Sequence, residues 1–170
     1  MQEIKIIQNL KKICKTISFK EDKELIKKHS ADWRGRYSKN ALGAVFPNST
    51  KEVSKIIKYS NKNNIKIIPQ GGNTGLVGGT SPTQDKKEII INFEKMNQII
   101  EIDKNNRCVE VEAGVIIDNV ISATNKENYL FPLKMSSTGS SQVGGVIATN
   151  AGGINVVKHG SIRKNILALE

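Results

Sequence analysis

Cys14 and Cys108 are the only cysteines in the chain. They show no CxxC spacing, so neither a zinc site nor a disulfide scaffold is indicated, and both read as reduced thiols. No other metal-ligand pattern stands out. Aromatic residues are also scarce, with four Phe, three Tyr and one Trp in 170 residues. That leaves no stripe on which bases could stack, and nucleic acid is not an expected partner. No run approaches the roughly 18 apolar residues of a transmembrane segment. The N-terminus, MQEIKIIQNLKKICKTI, carries an early acid, lysines throughout and no small-residue cleavage site, which argues against a signal peptide. These absences point to the cytoplasm, with peripheral contact at the inner membrane face left open.

Acidic residues are outnumbered, 16 against 26 basic ones, for a net charge of +10. Such a balance can mark an anionic partner. Here the lysines are scattered, and Lys, Asn and Ile are abundant together, as in the coding bias of an AT-rich genome. Composition drift is the favoured reading and a functional basic surface the alternative. The apolar share of 38% and charged share of 25% are those of ordinary globular material. The length fits one domain or a large piece of one.

Apolar periodicity predicts an amphipathic helix over 3–17 and a short second helix over 20–28. The stretch 32–40, DWRGRYSKN, is polar and irregular. Residues 44–46 form a short apolar run closed by Pro47. A helix follows, capped by Asn48, Ser49 or Thr50 with Glu52 assisting, and ends at 61–64. Residues 65–68 are a strand. The segment 43–68 therefore reads as a strand–helix–strand unit, right-handed if its strands pair in parallel. Beyond Pro82, EIIIN (88–92), QIIEI (98–102) and RCVEVE (107–112) read as antiparallel neighbours, with a turn at 103–106. A helix is expected over 115–125 and the start of a strand at 165–170.

Two segments concentrate glycine: PQGGNTGLVGGT (69–80) and STGSSQVGGVIATNAGG (137–153). Together they hold Gly71, Gly72, Gly75, Gly78, Gly79, Gly139, Gly144, Gly145, Gly152 and Gly153, ten of the 14 glycines. Glycine is costly where nothing requires it. Its concentration points to backbone amides that closely approach a ligand, and successive free amides form a donor nest for anions such as a diphosphate. Neither segment has the lysine of GxxxxGK[ST], which excludes a P-loop. The first lacks GxG and is followed by Pro82 and a strand, not by the helix of a Rossmann fingerprint.

The two segments in this order, PQGGNTGLVGG and GSSQVGGVIATNAGGINVVKHGS, resemble the PCMH-type FAD-binding domain of the vanillyl-alcohol oxidase superfamily. The similarity is greater to its FAD-linked D-2-hydroxyacid dehydrogenase branch, which includes D-lactate and D-2-hydroxyglutarate dehydrogenases and the glycolate oxidase FAD subunit. The resemblance implies an α+β fold: a small parallel strand–helix–strand sub-domain plus a second mixed or antiparallel sheet sub-domain, incomplete at the C-terminus. It implies an N-terminal helical segment over 1–31 and the FAD-binding domain over 32–170.

It also implies cofactor contacts. Pro69, Gln70, Gly71, Gly72, Gly75, Leu76 and Val77 would wrap the FAD diphosphate through their backbone, with Asn73 and Thr74 adding side chains. Gly139 and Ser140 would approach the diphosphate or the isoalloxazine edge. Gly144, Gly145, Thr149, Asn150, Gly152 and Gly153 would line the flavin, and Gly160 would belong to the following turn.

The chain departs from this pattern in four ways. Relatives that bind FAD covalently do so through a histidine in the first segment. Here only His29 and His159 exist, outside it, so non-covalent FAD is expected. Lys134 stands where relatives show an acidic or small residue, and reads as a surface lysine. His159 reads as a packed or exposed loop histidine. Family members also continue for hundreds of residues, through a substrate domain. This chain offers no general base for alcohol oxidation and no arginine cluster for a substrate carboxylate, so no catalytic residue is assigned. The expectation is the FAD-binding portion of an oxidoreductase that moves a hydride from a D-2-hydroxyacid to flavin. The alternative is a non-catalytic relic, or a split-enzyme half acting with a C-terminal substrate-domain chain.

Overall fold

The computed structural model describes residues 2–14, 17–19, 23–37, 39–83 and 87–170. The chain divides into two compact units, Met1–Met96 and Asn97–Glu170.

The first unit contains α1 (Gln2–Ile13), β1 (Ile17–Phe19), α2 (Lys23–Ser30), β2 (Gly43–Val45), α3 (Thr50–Lys62), β3 (Lys66–Gln70) and β4 (Glu88–Asn92). Its four strands form one sheet in the order β1-β2-β4-β3. β1 runs antiparallel to β2, and β4 pairs in parallel with both β2 and β3. The expected strand–helix–strand unit is present, but β2 and β3 do not touch. EIIIN lies between them as the central strand, not among antiparallel neighbours as its place after Pro82 suggested. Parallel neighbours need a crossover of about a dozen residues or more, usually helical. Here the glycine-rich segment itself belongs to the crossover from β3 to β4, so no helix announced it.

All five residues of β4 are buried. Ile89 and Ile91 enter a cluster with Ile6, Leu10, Cys14, Leu42, Val45, Ile56 and Ile65. Ile90 points to the opposite cluster, with Ile26, Ala41, Ala44, Phe46 and Ile68. A strand covered on both faces reads as a continuous apolar run. The N-terminal helices are part of this packing, α1 through Ile6 and Leu10 and α2 through Ile26. Helix α1 ends at Ile13, short of the expected residue 17, which lies in β1. Helix α2 covers 23–30, later than the expected 20–28; residues 20–22 lie outside the described residues.

Helix α3 starts as its sequence indicated. Ser49 is the N-cap, with its Oγ accepting the Glu52 amide, while Glu52 Oε2 accepts the Asn48 amide at 3.0 Å. Strand β3 lies at the sheet edge. Its ladder bonds to β4 fall on even positions: the Lys66 amide donates to the Lys87 carbonyl, and the Phe93 amide to the Gln70 carbonyl. Pro69, which has no amide hydrogen, thus falls on the free side of an edge strand, where proline is tolerated.

The second unit holds β5 (Ile99–Asp103) and β6 (Cys108–Val111), paired antiparallel as expected, then α4 (Ile117–Lys126), α5 (Val143–Ala148), α6 (Val156–His159) and a 3-10 turn at Ile162–Asn165. The turn before β6 is set by Asp103. The Asn106 amide (3.0 Å, to Oδ1) and side chain (2.6 Å, to Oδ2), with the Asn105 amide (2.8 Å, to Oδ1), donate to its carboxyl and hold it below the usual carboxylate range. The core is Ile117, Leu133, Val146 and Ile162. The expected strand at 165–170 does not form. Leu167 and Leu169 are exposed, and among the described residues this segment belongs to neither sheet.

Candidate cofactor site in the glycine-rich segments

The first segment leaves the carboxyl end of β3 already fixed by its own side chains. Gln70 is buried. Its Nε2 donates to the His29 carbonyl at 2.7 Å and the Thr80 carbonyl at 3.2 Å. Asn73 sits at φ +54°, a left-handed conformation that Asn tolerates. Its Nδ2 donates to the Ala31 carbonyl at 2.7 Å, and its Oδ1 accepts the Thr80 hydroxyl at 2.6 Å. Each polar end of Asn73 thus holds one bond within the unit, and its backbone amide is a further donor. Among the described residues, the amides of Gly71, Gly72, Asn73 and Gly75 make no hydrogen bond to the protein. Gly75, Leu76 and Val77 are exposed.

Why glycine stands at each position separates two groups. Gly78 serves the fold: its φ is +71°, and a Cβ there would lie 2.9 Å from the Tyr37 ring. Tyr37 is in turn held by Asp32, whose Oδ1 accepts the Tyr37 amide at 2.8 Å. That bond keeps the Asp32 carboxyl below the ordinary range. Gly75 and Gly79 have no positive φ, and nothing lies within 4 Å of the place a Cβ would occupy. The fold places no demand on them. A side chain there would enter open space.

The same test sorts the second segment. A Cβ on Gly153 would lie 2.2 Å from the Lys134 carbonyl oxygen, so packing of the chain on itself requires that glycine. Gly144 is close to Ala113 and donates its amide to the Ala113 carbonyl at 2.8 Å. Gly160 has φ +78°. Gly145 is open, and a Cβ on Gly139 would press on Asp118 Oδ2 at 3.3 Å. Among the described residues, the amides of Gly139, Gly145, Gly152 and Gly153 find no protein acceptor. Ser140 is exposed, and the buried Gln142 Oε1 has no partner.

Asn150 closes α5. At φ +52° it follows the C-cap Thr149, and the Ala151 amide returns to the Val146 carbonyl at 2.8 Å while the Asn150 amide reaches Ile147 at 3.1 Å. This is a Schellman motif with Asn in the usual glycine place. Thr149 Oγ1 donates to the Gly145 carbonyl. Arg163, which the sequence did not single out, also bonds the last carbonyls of the helix, with Nε to Ile147 at 3.0 Å and Nη2 to Ala148 at 2.7 Å. With Ala113 and Gly144 it borders a shallow depression that also includes Leu169. Lys134 is exposed, in keeping with its reading as a surface lysine, and His159 is half-buried.

The donor set fits a dinucleotide carrying a diphosphate: unpaired amides, polar side chains spent on loop shape, and glycines the fold itself does not need. Among the described residues, no helix is long and apolar enough to cross a membrane.

Comparison with known proteins agrees with this class. The FAD binding domain family matches residues 41–170. The mitochondrial D-2-hydroxyglutarate dehydrogenase of Arabidopsis thaliana is 37% identical over 150 residues, 88% of this chain and 26% of that protein. The D-2-hydroxyglutarate–pyruvate transhydrogenase of Saccharomyces cerevisiae is 39% identical over 139 residues, 82% of this chain and 28% of that protein. A solved alkyldihydroxyacetonephosphate synthase shares the fold with a TM-score of 0.84 at 22% identity, over 94% of this chain and 31% of that one. The chain spans about a quarter of the length of the curated relatives it matches. The protein therefore belongs to the FAD binding domain family, with the PCMH-type α+β fold and FAD as its cofactor.

Proposed function

We propose that the chain is the FAD-holding part of an oxidoreductase acting on a D-2-hydroxyacid of the lactate, glycolate or 2-hydroxyglutarate class. The observation that carries this reading is the pair of segments whose open glycines and unpaired amides the fold does not require. Kinship to enzymes named for D-2-hydroxyglutarate supports the substrate class. When bound, the flavin supplies the hydride acceptor. The chain's own part is to bind and orient: amides of Gly71, Gly72, Asn73 and Gly75 toward the diphosphate, and the segment 139–153 toward the flavin end. Binding is non-covalent in this reading. The first segment has no histidine, and the ring of His29 is engaged by Gln70 at 2.7 Å. Substrate-gripping groups come from sequence outside these residues, on the same polypeptide or on a partner chain. The site of action in this reading is the cytoplasm.

Two steps test it. The chain is titrated with FAD, and the complete protein is then mixed anaerobically with D- or L-2-hydroxyglutarate. Saturable FAD uptake, followed by flavin bleaching with the D enantiomer alone, is expected. Uptake without bleaching by D-2-hydroxyglutarate, D-lactate or glycolate would overturn the substrate class. Absence of uptake would overturn the cofactor site.

A further inference from the structure

Beside the first glycine-rich segment lies a set of buried side-chain hydrogen bonds centred on Gln70. It links three elements at one end of the sheet: His29 at the end of α2, Gln70 at the end of β3 and Asn92 at the end of β4. All three side chains are buried. The orientation of each group follows from its neighbours. Asn92 Oδ1 accepts the Glu94 amide at 2.9 Å, so its Nδ2 is turned toward Gln70 Oε1, 3.1 Å away. Gln70 Nε2 donates to two carbonyls, those of His29 and Thr80, so Oε1 is the atom facing the His29 ring. His29 Nδ1 lies 2.7 Å from that oxygen, an acceptor, and 3.4 Å from the donor Asn92 Nδ2; the shorter contact calls for a proton on Nδ1. The ring is braced from the side by Phe46, edge to face at 5.2 Å.

One side chain thus ties together both ends of the segment. Gln70, its second residue, holds the carbonyl of Thr80, which ends it. Asn73 repeats the device with the Thr80 hydroxyl, and both Gln70 and Asn73 anchor on the backbone of 29–31.

We propose that His29, Gln70 and Asn92 are positioning residues: a clasp that sets the shape of the diphosphate segment before any cofactor arrives, with His29 held in its Nδ1–H form. The inference rests on the binding reading only for its effect on FAD. The clasp itself is a property of the cofactor-free protein. A preformed segment loses less conformational freedom on binding, so loosening it weakens affinity without removing a contact.

The test uses three readouts on the chain without and with FAD. Imidazole nitrogen NMR at alkaline pH is expected to show His29 protonated at Nδ1, and to lose that signature in Gln70→Met. Amide order parameters for Gly71, Gly72 and Gly75 in the cofactor-free wild type are expected to match those of rigid backbone and to fall in Gln70→Met, while β4 stays rigid. FAD affinity is expected to weaken about tenfold. Should Gln70→Met fail to fold, Thr80→Val, which removes only the hydroxyl bond to Asn73, is expected to loosen the same amides. An Nε2–H ring, or mobile segment amides in the wild type, would overturn the clasp. So would unchanged FAD affinity in a Gln70→Met protein with a loosened segment. If the wild type binds no FAD, the binding reading fails, while the ring and amide signals still decide the clasp.

Discussion

At the scale of single residues, the useful distinction is between glycines the fold needs and glycines it does not. Gly75→Ala meets nothing and strains no dihedral. It is expected to leave the thermal midpoint unchanged while larger groups there, as in Gly75→Leu, abolish FAD uptake; calorimetry and a fluorescence titration check both halves. Gly153→Ala behaves the opposite way. Its Cβ would run into the Lys134 carbonyl, and overpacking of this kind costs about 1–3 kcal/mol, measurable by denaturant unfolding. From sequence all these glycines look alike, because a motif records that glycine is present and not whether a neighbour's backbone or a ligand requires it. Asn150 was read only as a cofactor contact; its left-handed φ shows that it also terminates α5, a backbone role that the motif does not record.

Asp32 adds a pH dependence. Its carboxyl is held below its ordinary value chiefly by the Tyr37 amide. A depressed acid contributes stability above its unfolded pKa, about 3.9, and that contribution is lost as pH falls through the lower folded value. The difference in thermal midpoint between wild type and Asp32→Asn is therefore expected to be largest near neutral pH and to shrink in strong acid. A difference that grew on acidification would contradict the assignment.

At the scale of elements, legibility followed the physics of each signal. The Ser49 cap and Glu52 were readable because capping is local. The β5–β6 pair was readable because one face of β6 alternates and Asp103 marks the turn. The place of β4 was not. Ile89, Ile90 and Ile91 have no alternation to show which neighbours they face, and the connection before them has no helical signature. Helix α5 was hidden by Gly144 and Gly145, each of which costs a helix interior about 1 kcal/mol relative to Ala. Tertiary bonds from Gly144 to Ala113 and from Arg163 to the last carbonyls offset that cost. If β4 is the central strand, Ile91→Ala should lose about 2–5 kcal/mol in chemical denaturation, as expected for a fully buried isoleucine. An exposed antiparallel position would lose much less.

At the scale of the whole molecule, each compact unit carries one glycine-rich segment. The segment pair was legible from sequence because it is a long, ordered motif. The supports behind it, His29, Asn92, Tyr37 and Arg163, were not, because they lie far from it in the chain and carry no pattern of their own. The central claim is that these two segments bind FAD through the backbone amides they leave unpaired. Titration of FAD fluorescence with wild-type protein and with Gly75→Leu, at matched circular dichroism, tests this most directly. Saturable quenching at one FAD per wild-type chain, absent in the variant, is the result this account predicts. Equal quenching by both proteins, or none by a folded wild type, would contradict it.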